Sequence, residues 1–147
     1  MEEKIRGISC TLYHSKNNAM KTLLQSLTGG SCKVFIPWCM VLQGDMRLPG
    51  SKRNLYPTED EMAAIADAAI WELVLHIYPA DAQEEPIETY EDFLQSRCEC
   101  CLIFYDCGML ELYIRNQTLR DQLLDELEKL DARDIGLITD SNDGRIA

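Results

Sequence analysis

Apolar and polar residues alternate along Ile5-Arg6-Gly7-Ile8-Ser9-Cys10-Thr11-Leu12, the two-residue period of a half-buried strand. Ser15 then stands as the cap of a helix running to about Leu27, with Met20, Leu23, Leu24 and Leu27 on one face. Gly29-Gly30 ends it, because glycine takes the left-handed position after a helix at little cost. Val34–Leu42 is apolar, β-branched and aromatic. Pro37 within it cannot donate to a ladder, so an edge strand or a broken pair of short strands is expected. Residues 43–57, with two Pro and two Gly, are expected to be a long loop.

Thr58-Glu59-Asp60-Glu61 has the spacing of a capping box, and the helix it opens runs on through Met62, Ile65, Ala66 and Ala69. Trp71, Leu73, Leu75 and Ile77 alternate with Glu72, Val74, His76 and Tyr78, which predicts a central strand. An acidic loop with two prolines precedes a short helix at about Thr89–Ser96. Cys98–Asp106 and Met109–Arg115 are expected to form a hairpin around Asp106-Cys107-Gly108. Asn116 caps a last helix with a stripe of Leu119, Leu123, Leu127 and Leu130, and Ile135–Thr139 is a final strand. Hairpin pairing interleaved with helices predicts an α+β fold: a mixed, mainly antiparallel sheet with helices packed against it. At 147 residues the chain reads as a single globular domain.

Composition adds compartment and charge. No run approaches the roughly 20 apolar residues that a membrane helix needs, and the acidic start lacks the basic and apolar regions of a signal peptide. No membrane is implied, and the expected location is cytoplasmic. Seven cysteines, an odd number without an export signal, suit reduced thiols better than a disulfide framework. The formal net charge is −11, made of +5 over residues 1–58 and −16 over residues 59–147. So negative a chain repels phosphate backbones, which argues against nucleic acid and towards a basic protein as partner.

Few residues carry candidate chemistry. Cys98-Glu99-Cys100-Cys101 and Cys107 are the densest cluster. Read as a regular strand, Cys98 and Cys100 share one face and Cys101 takes the other, so Cys98, Cys100 and Cys107 are the candidate metal ligands. Zinc needs four converging ligands, and the usual CxxC knuckles are taken to be absent, so buried core thiols are the plainer reading. His14 and His76 are the two histidines. Either would need a neighbouring thiol for nucleophilic catalysis, and the sequence places none beside them. Arg47, Lys52 and Arg53 make a basic island in the long loop, a candidate anion site in an acidic chain. No cofactor fingerprint is present: Thr28-Gly29-Gly30-Ser31-Cys32-Lys33 has the wrong spacing for a phosphate loop and follows a helix.

Arg6-Gly7-Ile8-Ser9, Trp38, Tyr78-Pro79, Phe93-Leu94-Gln95-Ser96-Arg97-Cys98-Glu99, Asp106 and Ile138-Thr139-Asp140-Ser141-Asn142-Asp143-Gly144-Arg145 occur in that order along the chain. In this set the chain resembles the bacterial family called domain of unknown function 2691. The resemblance implies a bacterial cytoplasmic protein and brings no catalytic residue with it. If the last segment is a site, Asn142, Asp143 and Arg145 are its members, although Asn-Asp-Gly is also plain turn sequence. Two functions follow as expectations. The first is a non-catalytic acidic module that binds a basic partner. The alternative is an enzyme or small-ligand protein with a site built from loops. A concave pocket holding a perturbed titratable group would favour the alternative. The strand at Pro37, if it is an edge, would also offer its open side to a second copy of the chain.

Overall fold

The computed structural model describes residues 5–12, 19–28, 32–41, 51–67, 70–105 and 108–140. The elements in chain order are β1 (Ile5–Thr11), α1 (Ala19–Thr28), β2 (Cys32–Val41), β3 (Ser51–Leu55), α2 (Glu59–Asp67), β4 (Ile70–Pro79), α3 (Tyr90–Gln95), β5 (Cys100–Tyr105), β6 (Met109–Ile114), α4 (Gln117–Lys129) and β7 (Arg133–Thr139). The chain is mixed α+β. Its strands form a seven-stranded sheet in the order β3-β2-β4-β5-β6-β1-β7, and each neighbouring pair is antiparallel.

The period-two pattern sorts side chains between the two faces. Leu73, Leu75 and Ile77 of β4, Cys100, Leu102 and Phe104 of β5, and Leu110, Leu112 and Ile114 of β6 point to one face. There they pack against Leu23 and Leu24 of α1, Ile65 of α2, and Leu123 and Leu127 of α4. The caps of α2 and α4 are the expected ones, while Ser15 and Gly29-Gly30, expected to bound α1, lie outside the described residues. Thr58 Oγ1 accepts the Glu61 N–H at 3.1 Å while Glu61 Oε1 accepts the Thr58 N–H at 3.0 Å. Asn116 Oδ1 accepts the Leu119 N–H at 3.0 Å.

The opposite face is covered differently. Residues 80–99 leave the end of β4, cross the sheet as a strap containing α3, and return as β5. Between the strap and the sheet, with side chains from both, lies a second, smaller core of Phe35, Tyr78, Ala82, Phe93, Cys98, Cys101, Tyr113 and Ile138. Much of it forms one row across the sheet. In register, Phe35 pairs with His76, His76 with Cys101, Cys101 with Tyr113, Tyr113 with Gly7, and Gly7 with Ile138.

Two expectations are corrected. Ser51–Leu55, expected to be loop, is strand β3 along the outer side of β2. Its sequence carries no alternation; the open backbone of β2 recruits it, since ladder bonds need only amides. Pro37 therefore lies in an inner strand. It is tolerated there because the β2–β4 register shifts between Phe35 and Trp38, a bulge at which a ladder bond is not required. The edge strands are β3 and β7, so the open side expected at Pro37 is already occupied. The two charge-biased halves of the chain interleave, since β1 sits between β6 and β7. No helix among the described residues is long and apolar enough to cross a membrane.

Candidate functional site

The strap does not seal the face it crosses. A cavity of about 120 Å³ has a floor of Val74, His76, Cys101, Ile103 and Tyr113 from β4, β5 and β6. Its roof is Ile87, Glu88, Thr89, Tyr90 and Phe93 of the strap. A wider, more open depression of about 540 Å³ shares His76, Ile87 and Glu88 with it and adds Phe35, Pro37, Glu84, Glu85 and Pro86. His76 thus stands where the two spaces meet.

His76 is 6% exposed, and its Nδ1 has no hydrogen-bond partner among the described residues. The rings of Phe35 and Tyr78 flank it at centroid distances of 6.2 and 6.5 Å. Burial lowers its pKa to about 4, so the imidazole is neutral at physiological pH and one ring nitrogen can accept a hydrogen bond. A buried polar atom without a partner calls for an explanation, and a ligand site is one.

Polar bonds hold the roof in place. The Tyr78 hydroxyl accepts the Glu85 N–H at 3.1 Å and donates to the Glu85 carbonyl at 3.2 Å. Lys33 Nζ donates to the Ala82 carbonyl at 3.2 Å. The Arg115 guanidinium lies 5.0 Å over the Phe93 ring and donates to the carbonyls of Phe93 and of Ser96, the latter at 2.8 Å. At the far wall Arg6 stacks 4.3 Å over Tyr90 and pairs with Asp140 at 3.0 Å. Arg6 reaches that face because it is the extra residue where the β1–β7 register shifts between Ile5 and Gly7.

Helix α3 begins with a capping box: Thr89 Oγ1 accepts the Asp92 N–H at 3.1 Å, and Asp92 Oδ2 accepts the N–H groups of Thr89 and Glu88. Those bonds, from Glu88 first, hold the Asp92 carboxyl below its ordinary pKa. Thr89→Ala should cost about 1 kcal/mol. A thermal melt would read that as a fall of about 3 °C for a chain of this size. No measurable shift would mean that the cap does not fix the strap.

Cys101, in the floor, has a second thiol beside it. Cys98 is 0% exposed and Cys101 is 5% exposed. Their sulfurs are 3.6 Å apart, and Cys98 Sγ also lies 3.3 Å from the Cys100 carbonyl oxygen. As donor to Cys98, Cys101 holds the Cys98 thiol below its ordinary pKa, and Arg115 acts in the same direction. That bond and burial push Cys101 well up. Cys100 faces the other core, and burial raises its pKa too.

The grouping expected within the cysteine cluster is thus corrected. Residues 98 and 99 precede β5, so alternation does not reach them, and Cys98 joins Cys101 rather than Cys100. The spacing of that pair, C-x-x-C, is the signal a regular-strand reading hides. Cys107 lies outside the described residues. Among the described residues no three His, Cys, Asp or Glu side chains are grouped to hold a metal ion. His76 does have a thiol neighbour, since it pairs across the strands with Cys101, though Nδ1 makes no bond to it. Lys52 and Arg53 sit on β3, in register with Cys39 and Trp38. Arg47, Asn142, Asp143 and Arg145 lie outside the described residues, as does His14.

Residues 60–147 match the family described as Protein of unknown function (DUF2691). A protein of Bacillus subtilis (strain 168), named Uncharacterized protein YncE, is 31% identical over 71 residues. The match covers 48% of this chain and 46% of the relative, so it spans about half the length of each. No solved structure matches the chain.

Proposed function

Since the chain belongs to the DUF2691 family, whose description assigns no activity, its function has to be read from the cavity, and we propose that it binds a small organic cation with a flat apolar body between the strap and His76. The observation that carries this reading is the buried Nδ1 of a neutral His76 with no partner among the described residues, at the meeting of two spaces. A ligand N–H would supply the missing hydrogen bond. Tyr113 supplies a π face for a ring or an ammonium group, and Tyr90 and Phe93, which already carry Arg6 and Arg115, add apolar wall. Glu84, Glu85 and Glu88 line the outer space and favour positive charge there. Apolar walls with a few convergent polar groups are the usual make-up of a small-molecule site. The role is binding, built on a loop-derived roof rather than on the basic island.

Calorimetry with three probes of one size tests this: benzylamine, toluene and benzoate. Benzylamine should bind with a Kd of about 1 mM or tighter and benzoate at least about tenfold more weakly, and His76→Leu should weaken benzylamine at least about tenfold while leaving toluene unchanged. Equal affinity for the cation and the anion, or binding unchanged in His76→Leu, would refute the reading. A second reading, an acidic surface that steers a basic protein, draws support from α4, whose Asp121, Asp125 and Glu128 are exposed. Charge reversal on that helix should slow capture of such a partner and weaken its salt dependence. Unchanged rates would end that reading.

A further inference from the structure

We propose that Cys98 and Cys101 are an oxidisable dithiol, a modification site that takes a small hydroperoxide through the cavity and closes to a disulfide between the end of the strap and β5. Three observations converge on it. The two sulfurs are in contact at 3.6 Å, within torsional reach of the roughly 2.05 Å bond. Cys101 lines the cavity, so a reagent of a few atoms reaches it without unfolding, whereas Cys100, one residue earlier, faces the opposite core. The Arg115 guanidinium, anchored on Phe93 and Ser96, places positive charge near both thiols and favours a thiolate in the pair. The inference needs no organic ligand and stands apart from the binding reading above.

Cys98 holds the negative charge of the pair and accepts the Cys101 proton as the Cys101 sulfur attacks one peroxide oxygen. The O–O bond breaks, and the other oxygen leaves as hydroxide (or as alkoxide, from an alkyl hydroperoxide) and takes a proton from solvent to become water or the alcohol. Cys101 is then a sulfenic acid. Cys98 sulfur attacks it, the S–S bond forms, and the hydroxyl leaves with the Cys98 proton as water. The two thiols lose two electrons, and the peroxide gains them. A bridge over so short a loop constrains the unfolded chain little, so its role is chemical rather than that of a staple.

The test uses the full chain under native conditions with hydrogen peroxide, followed by alkylation of the remaining thiols. Trypsin releases residues 98–115 as one peptide holding Cys98, Cys100, Cys101 and Cys107, and fragmentation locates the bridge. The pair should oxidise at least about tenfold faster than Cys100, lose the mass of two hydrogens, and be restored by a thiol reductant. The rate should not change with urea below the unfolding transition. In Cys98→Ser, which lacks both the proton acceptor and the resolving thiol, Cys101 should oxidise more slowly and stop at a sulfenic acid that a cyclic dione traps; if that variant does not fold, the native rates decide alone. The proposal fails if both thiols remain alkylatable while Cys100 oxidises. It also fails if the bridge joins other cysteines, or if its rate climbs with urea in step with unfolding.

Discussion

Gly7→Ala should unfold most of the protein at room temperature, while Gly136→Ala should leave it folded. A β-carbon on Gly7 would lie 1.8 Å from the Leu112 carbonyl oxygen, 2.8 Å from its carbon and 3.0 Å from the Tyr113 Cα. All three are backbone atoms of β6, the strand to which β1 is bonded, so no side-chain rotation relieves the overlap. Relief means breaking the β1–β6 ladder, which carries the β7 edge with it. The same residue stands in the row that supports the strap, between Tyr113 and Ile138. The cost should exceed about 4 kcal/mol, a large part of the roughly 5–15 kcal/mol that holds a domain together. At Gly136 the nearest atom to the added carbon is Ser9 Oγ at 3.8 Å, ordinary contact. Alanine there should change stability by less than about 1 kcal/mol. Urea denaturation of the two variants reads both numbers. A Gly7→Ala chain as stable as the Gly136→Ala chain would show that β1 does not pair with β6 as described.

The second large effect is a loss of stability in mild acid that belongs to His76. Folded, its pKa is lowered to about 4 by burial; unfolded, it returns to the ordinary value near 6.5. Between those values the unfolded chain holds the proton and the folded chain does not, so stability falls as pH falls through that window. Above the window both states are neutral and the residue contributes no pH dependence. Below about pH 4 the full effect is reached, about 3 kcal/mol at 1.36 kcal/mol per pH unit. Many carboxylates titrate near the lower end, so the comparison is with His76→Leu. The difference in unfolding free energy between the two proteins should change by about 3 kcal/mol from pH 7 to pH 4. Parallel stability curves would mean that the folded imidazole keeps its ordinary pKa and is not buried in the cavity wall as described.

Local signals were legible along the chain. The Thr58 box, the Asn116 cap and the leucine stripe at positions 119, 123 and 127 work between residues three or four apart, and each occurs as read. The alternation from Trp71 to Tyr78 identified a central strand because both of its faces are covered and neither tolerates slippage. What lay beyond the sequence is long-range. β3 has no pattern of its own and exists because β2 offers it a partner. The row from Phe35 to Ile138 is a matter of register among six strands, and no single segment encodes it. The site followed the same division. His76 reads as a lone histidine in an apolar strand, and only the strap crossing above it turns the position into a cavity wall. The one site signal within reach of the sequence was the spacing of Cys98 and Cys101, and it required knowing where β5 begins.

The claim that the space at His76 is a ligand site is tested most directly by nitrogen-15 NMR of the His76 imidazole during a titration with benzylamine. In the free protein both ring nitrogens should report a neutral imidazole down to about pH 5, given the lowered pKa. Benzylamine should shift the Nδ1 resonance saturably, with amide shifts at Cys101, Ile103 and Tyr113, the floor of the cavity. An imidazole that titrates near its ordinary pKa, or a ring whose Nδ1 signal stays fixed while the amine saturates the protein elsewhere, would contradict the account.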